Sequence, residues 1–247
     1  MTRVVVLIPT YNEAENIHSA VASVRLHLPD ANVIVLDDAS PDGTGHIADE
    51  IAADDVHVSV IHRTKKNGLG DAYLDGFQNA LAHDFNVLIE FDADGSHPAA
   101  VLPDLVRAVT ADGIGLAIGS RWIDGGSVVD WPPHRLFLSR GGNAYARVML
   151  GLSVRDSTAG FRAYRAECLQ AIDLSSVKTK GYGFQVDMTR RVEAAGYGIV
   201  EVPIAFRERT RGTSKMSGAI ILEAMWMVTL WGLRRPVAYF QRALSRG

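Results

Sequence analysis

The sequence has little of several features that mark common protein classes. Its 247 residues include one cysteine, Cys168, so no disulfide forms within the chain and we expect a cytoplasmic, reducing setting. Pro9 interrupts the first apolar stretch before any small-residue cleavage site, so we expect no secretory signal. The motifs G-x-G-x-x-G and G-x-x-x-x-G-K-[ST] are missing, which argues against dinucleotide-dependent redox enzymes and P-loop ATPases.

The sequence also has no long apolar run that would readily cross a bilayer. Its most apolar segment, residues 216–233, contains Glu223 and is 18 residues long, whereas a spanning helix needs about 20 apolar residues. Two interpretations stay open for a helix here. It either packs on the rest of the protein or lies in the membrane interface with Trp226, Met227 and Trp231 in lipid.

Charge is nearly balanced overall but unevenly distributed. The formal net charge is −3, yet eight Lys or Arg residues face only two acids from residue 205 onward. The remainder holds 17 basic and 26 acidic residues. A basic end of this kind fits a partner rich in phosphate, which leaves nucleic acid, a nucleotide or anionic lipid as candidates.

Apolar runs and helical patterns alternate along the chain, which predicts an α/β fold with a mostly parallel sheet flanked by helices. Asn12 and Glu15 predict a capping box for the first helix. The predicted strands lie at 3–9, 32–38 and 56–62, within 86–94 and 113–122, and at 199–206. The predicted helices lie at 44–53, 70–83, 98–109, 135–150 and 184–195.

Acidic and polar side chains follow three of these strands. Glu13 comes after the first strand, Asp37 and Asp38 end the second, and Asp92 and Asp94 follow the fourth. In parallel sheets ligands bind beyond the carboxyl ends of the strands, so we expect all these groups at one edge. The pair in Asp92-Ala93-Asp94 predicts a Mg²⁺ or Mn²⁺ site that a substrate diphosphate completes, because these cations prefer carboxylate and phosphate oxygens.

Seven motifs in order resemble the inverting glycosyltransferases of family 2, which have the GT-A nucleotide-diphospho-sugar transferase fold. They are PTYNEAENI, VLDDASPDGTG, KKNGLGDAYLDGF, FDADGSHP, GSRW, STAGFRAYR and RGTSK. The sequence is most similar to the polyprenyl-phosphate (dolichyl-phosphate) mannose synthases. The resemblance implies a GT-A catalytic domain over residues 1–215, followed by an apolar and basic helical segment over residues 216–247.

The resemblance also implies a donor site for a nucleotide sugar, GDP-mannose. Its expected contacts are Pro9, Tyr11, Glu13, Leu36, Asp38, Asp92, Ala93, Asp94, Arg121, Arg209 and Lys215. Asp92 and Asp94 would hold the metal. Related sequences often have Gln where Ser96 stands, so we expect that this shorter side chain acts on the metal through water. Ser157, Thr158 and Gly160 are expected near the sugar, and Phe161 in the core.

The acceptor follows partly from chemistry. Inverting transfer to a sugar hydroxyl needs a carboxylate base, which many relatives carry in a Glu-Asp dipeptide that is missing here, as is Q-x-x-R-W. A phosphate monoester has a second pKa of about 6 and attacks as a dianion without a protein base. Arg135 and Ser139 match acceptor-phosphate contacts of the family. Together with Asp94, Arg209 and Lys215, Arg135 forms the expected catalytic set.

We therefore expect transfer of mannose to a polyprenyl phosphate at the cytosolic leaflet of a membrane, with no nucleic-acid partner. A separate membrane-anchoring protein is left open. One alternative keeps the enzyme but uses UDP-glucose as the donor. A second alternative is a nucleotide-sugar-binding membrane adaptor without turnover, which the presence of Asp92, Asp94, Arg135, Arg209 and Lys215 disfavours.

Overall fold

A seven-stranded sheet with helices on both faces organises the protein. The computed structural model describes residues 2–179, 181–208, 222 and 224–234. The strands are β1 (Val4–Thr10), β2 (Asn32–Asp37), β3 (Val58–His62), β4 (Val87–Glu90), β5 (Ile114–Ser120), β6 (Ser127–Val129), β7 (Arg162–Arg165), β8 (Gly198–Pro203) and β9 (Ala205–Arg207). The α-helices are α1 (Ile17–His27), α2 (Thr44–Asp54), α3 (Leu69–Ala82), α4 (Leu102–Val109), α5 (Pro133–Leu150), α6 (Ala166–Ala171) and α7 (Gly181–Ala194).

The strand order in the sheet is β3-β2-β1-β4-β7-β5-β8. All neighbouring pairs are parallel except those of β7, which runs antiparallel to both β4 and β5. A mostly parallel sheet was predicted and is confirmed, whereas β7 was not predicted as a strand. A second, two-stranded sheet pairs β6 with β9 in parallel.

Side chains of the strands alternate between two apolar layers, one on each face of the sheet. Along β1, Val5 and Leu7 belong to one layer and Val6 and Ile8 to the other, and all four are fully buried. The first layer includes side chains of α3 and α7, and the second those of α1, α2 and α4. Burial on both faces explains why the parallel strands are continuous apolar runs.

Two local predictions were wrong. Asn12 does not cap α1, because that helix begins at Ile17 with Asn16 as its N-cap, and Asn12 itself has a positive φ of 58°. The single strand predicted over 199–206 is divided at Ile204 into β8 and β9, which belong to different sheets. The backbone N–H of Ile204 still donates to the carbonyl of Ser120, the last residue of β5, at 3.0 Å. The chain leaves the large sheet after this bond.

Candidate active site

The polar residues predicted to meet do lie along one edge of the sheet. In the β1–β2 register Pro9 pairs with Leu36 and Thr10 with Asp37, so the two strands end together. The backbone N–H of Asp38 continues this pairing by donating to the Thr10 carbonyl at 3.0 Å. The predicted donor residues Pro9, Leu36 and Asp38 therefore share one edge of the sheet.

Asp37 and Glu13 hold the turns at this edge. The hydroxyls of Thr10 and Ser40 donate to the Asp37 carboxylate at 3.0 Å and 2.6 Å. The backbone N–H of Glu13 donates to the Thr44 hydroxyl at 2.9 Å, which ties the turn after β1 to the start of α2. These bonds fix the backbone on both sides of the predicted nucleotide crevice.

Asp38 lies in a buried ion pair with Arg63, and both side chains are 7% exposed. Arg63 also donates from Nε to Asp75 at 2.7 Å. Burial raises the pKa of Asp38, and the positive charge of Arg63 opposes that rise. Lys66 lies 3.8 Å above the ring of Tyr11, a predicted donor contact. Sequence reasoning missed both cations, although Lys66 belongs to the KKNGLGDAYLDGF motif that signals this loop.

Asp92 and Asp94 follow β4, which pairs with β1 through Leu7 and Glu90. The Asp92 carboxylate lies 3.6 Å from Nε2 of the buried His97, and its side chain is 31% exposed. The backbone N–H of Ser96 donates to Asp94 Oδ1 at 3.0 Å. Ser96 thus positions Asp94 through its main chain, while the predicted role of its hydroxyl at a metal stays a prediction.

The carboxylates at this edge of the sheet fit a divalent cation. Within the described residues no group of three or more His, Cys, Asp or Glu side chains is placed to hold a metal. Mg²⁺ commonly takes only one or two protein carboxylates, with water and substrate phosphate completing its shell. Asp92 and Asp94 supply such a pair. Gly160 leaves the space beside them without a side chain, since a Cβ there would lie 3.8 Å from Asp92 Oδ2.

A buried polar network lies behind the Asp92 loop. Gln185 on α7 donates to the fully buried Glu90 at 2.6 Å, and burial raises the pKa of Glu90 to about 7, opposed mainly by the charge of Arg162. Arg162, also fully buried, donates to the carbonyls of Ser157 and Ala159, both at 2.6 Å. The network fixes the segment before β7 against the strand that leads to Asp92. Sequence reasoning missed its members.

A second network joins the predicted donor contact Arg121 to α5. Arg121 forms a doubly bonded ion pair with Asp156, at 2.7 Å and 2.6 Å, and donates to the Thr158 hydroxyl at 3.0 Å. Asn143 on α5 donates to the same hydroxyl at 2.9 Å and to the carbonyl of Ser139 at 3.0 Å. Sequence reasoning left Asp156 unassigned, and the structure makes it the counter-ion of Arg121.

Arg135 and Ser139, the predicted acceptor contacts, line the same cleft beside α5. The Arg135 guanidinium lies 4.1 Å above the Trp131 ring and forms an ion pair with Glu208. The space between the walls of the cleft is about 690 Å³, including open solvent at its mouth. Its other lining residues are mostly apolar: Arg121, Trp131, Leu138, Gly142, Tyr145, Ala146, Thr158, Val186, Ala224, Met225 and Val228. The cleft therefore offers contacts for both a charged head group and an apolar chain.

One wall of this cleft is the helix formed by residues 224–234. Its buried Val228 and partly buried Trp231 pack against the core, and Thr229 bonds the Tyr145 hydroxyl at 2.7 Å. Trp226 is 65% exposed. The helix thus packs on the domain by one side, and Trp231, which the interfacial interpretation placed in lipid, belongs to that side. Among the described residues no helix is long and apolar enough to cross a membrane.

Two predicted catalytic residues, Arg209 and Lys215, lie outside the described residues. The other predicted site residues fall into two groups, the donor edge after β1, β2 and β4, and the cleft beside α5. Arg121 adjoins both, because it lines the cleft and also a small pocket that contains His97 and Gly160, beside the Asp92 loop.

The fold and this edge of acids define a sugar transferase of the GT-A type. The family model described as "Glycosyl transferase family 2" matches residues 5–173, and the chain belongs to that family. A solved structure of glucosyl-3-phosphoglycerate synthase from Mycobacterium tuberculosis, with Mn²⁺, UDP-glucose and phosphoglyceric acid, has the same fold. Its TM-score is 0.67 at 22% identity, and the match covers 94% of this chain and 79% of that one.

The names of the curated relatives are more specific about the reaction that those proteins catalyse. The chain is 54% identical to "Undecaprenyl-phosphate mannosyltransferase" of Micrococcus luteus, over 94% of each chain. It is 53% identical to "Polyprenol monophosphomannose synthase" of Mycolicibacterium smegmatis, over 94% of this chain and 88% of the relative. It is 36% identical to "Dolichol-phosphate mannosyltransferase" of Pyrococcus furiosus, over 90% of this chain and 61% of the relative.

Proposed function

We propose that this protein transfers mannose from GDP-mannose to a polyprenyl monophosphate, with inversion at the anomeric carbon. The names of relatives that are more than half identical over nearly the whole chain support the sugar and the acceptor. The observation that carries the proposal is the apolar cleft beside α5. Its wall contains Arg135 and Ser139 together with Arg121, a predicted donor contact.

The chemistry is a single displacement. An oxygen of the acceptor phosphate attacks the anomeric carbon of the sugar, the bond to the donor diphosphate breaks, and GDP leaves with the electron pair. The dianionic acceptor needs no protein base. A divalent cation held by Asp92 and Asp94 would neutralise charge on the leaving diphosphate.

The protein residues place two anionic reactants side by side. The nucleotide is proposed to contact residues at the ends of β1 and β2 and in the turns that follow: Pro9, Tyr11, Glu13, Leu36 and Asp38. Arg135 and Ser139 are proposed to bind the acceptor phosphate, which needs a cation to approach an anionic donor. Arg209 and Lys215 remain the proposed contacts to the donor diphosphate.

The acceptor chain implies contact with a membrane, because a polyprenyl tail does not dissolve in water. On the two helices that line the cleft, α5 and residues 224–234, Phe137 is 81% exposed, Leu138 44% and Trp226 65%. We place this face on the cytosolic leaflet, with aromatic side chains at the interface. A separate membrane-anchoring protein remains a prediction from the sequence.

The test is transfer of radiolabel from GDP-mannose, and in parallel from UDP-glucose, to a polyprenyl phosphate in detergent with Mg²⁺ or Mn²⁺. Mannose in the organic phase, lost with EDTA, is the expected result. Glucose there would replace the donor we propose. Label from neither donor would contradict the proposed acceptor.

A further inference from the structure

The cation proposed to bind the acceptor phosphate already has an anionic partner within the chain. Arg135 on α5 forms an ion pair with Glu208, the residue that follows β9, and the two side chains are 22% and 36% exposed. Trp131 lies under the same guanidinium, 4.1 Å from its carbon. An acceptor phosphate that reaches Arg135 therefore competes with a carboxylate for the same guanidinium.

We propose that Glu208 is an exchangeable internal counter-ion of Arg135, which competes with the acceptor phosphate for this guanidinium. Its carboxylate pairs with Arg135 in the free protein, and a phosphate monoester displaces it whereas an uncharged head group does not. The inference rests on the proposed function, because it takes Arg135 as the acceptor-phosphate contact.

The geometry of this ion pair allows exchange. Arg121 and Asp156 form a contrasting pair, with two side-chain bonds, a third bond from the Arg121 backbone N–H, and exposures of 7% and 0%. The Arg135–Glu208 pair has one recorded hydrogen bond, and both side chains meet solvent. Partly exposed ion pairs of this kind change an equilibrium constant by only about two- to fivefold.

Charge explains why a phosphate monoester exchanges with the Glu208 carboxylate on Arg135. A phosphate monoester is mostly dianionic at neutral pH and offers three acceptor oxygens, whereas a carboxylate carries one charge. Guanidinium groups bind phosphate through two parallel hydrogen bonds. The Trp131 ring supports the guanidinium from one face, so Arg135 keeps its place while its anionic partner changes. A polyprenol has no charge with which to take Arg135 from Glu208.

The experiment measures binding of a short-chain polyprenyl phosphate and of the matching alcohol, in detergent without donor, to the wild-type protein and to Glu208→Gln. We expect Glu208→Gln to bind the phosphate about two- to fivefold more tightly and the alcohol unchanged, because the competing carboxylate is gone. The matched control is Asp130→Asn. Asp130 is exposed, precedes Trp131, and has a φ of 60° that asparagine tolerates. This control should bind like wild type.

Unchanged or weaker phosphate binding by Glu208→Gln, at an unchanged melting temperature, would overturn the inference. So would equal tightening for the alcohol, which indicates a general change in the cleft. Glu208→Ser is a second variant that removes the charge, and it should agree in direction with Glu208→Gln.

Arg135→Gln distinguishes a failure of the proposed acceptor site from a failure of the role of Glu208. If it binds the phosphate like wild type, the proposed acceptor site itself fails. If it weakens binding while Glu208→Gln changes nothing, only the role of Glu208 fails.

Discussion

Replacing Asp156 with asparagine removes the counter-ion of a buried arginine and should destabilise the protein strongly. Asp156 is fully buried and Arg121 is 7% exposed, so little water reaches the cation that remains. Breaking a buried pair by removing one partner costs about 3–5 kcal/mol. Against a typical total stability of about 5–15 kcal/mol, that is a large fraction.

The free energy of unfolding is measured by urea titration at pH 7 with linear extrapolation. For a chain of this size the expected loss lowers the melting temperature by roughly 6–20 °C. The control is Asp104→Asn, which breaks the exposed pair with Arg107, where the side chains are 77% and 50% exposed. That change should stay within about 1 kcal/mol of wild type.

The double variant Arg121→Met/Asp156→Leu tests the cause. It removes both charges, so it should be more stable than Asp156→Asn alone. A loss below about 1 kcal/mol in Asp156→Asn, or a double variant less stable than that single one, would refute the argument from an uncompensated buried charge.

Three further predictions concern the site and its surroundings. Asp94→Asn should lower kcat/KM by about 100-fold or more, whereas Ser96→Ala should leave Asp94 in place because the bond comes from the main chain; equal losses in steady-state assays would contradict this. Glu90 has a pKa raised from 4.5 to about 7, so its contribution to folding stability is fully present below pH 4.5 and is lost as the pH rises through about 7. Glu90→Gln should therefore reduce the fall in unfolding free energy between pH 5 and 8 by about 2.5 kcal/mol in EDTA, and an unchanged pH profile would disprove it. Trp226→Ser should weaken cosedimentation with anionic vesicles roughly tenfold, while the control Val56→Ser, at a side chain that is even more exposed (94% against 65%), should not.

Much of the fold followed from the sequence because its signals are local. Strands buried on both faces are continuous apolar runs, and β1, β2 and β4 were found in that way. β7 was missed because two of its four residues are arginines. Arg162 is buried there because carbonyls of the preceding segment and two residues of α7, Gln185 and Thr189, accept its hydrogen bonds, and no periodicity reveals such an arrangement.

The candidate site, like the fold, could be predicted only in part. The acids after β1, β2 and β4 were placed correctly, because parallel strands end at a shared edge. The partners of these groups were not found from the sequence. Arg63 lies 25 residues from Asp38, Asp156 lies 35 from Arg121, and Glu208 lies 73 from Arg135. Pairing over such separations depends on how segments pack, which spacing along the chain does not encode.

The reversed direction of β7 has a consequence for motion. Its first residue pairs with Glu90 on one side and with Ile118 on the other, so the segment before it enters the sheet between two neighbours. Backbone amides held in this way open only in large, rare fluctuations. Amide hydrogens of β7 should therefore exchange slowly. The segment before β7, whose Thr158 bonds both Arg121 and Asn143, should therefore stay rigid during turnover.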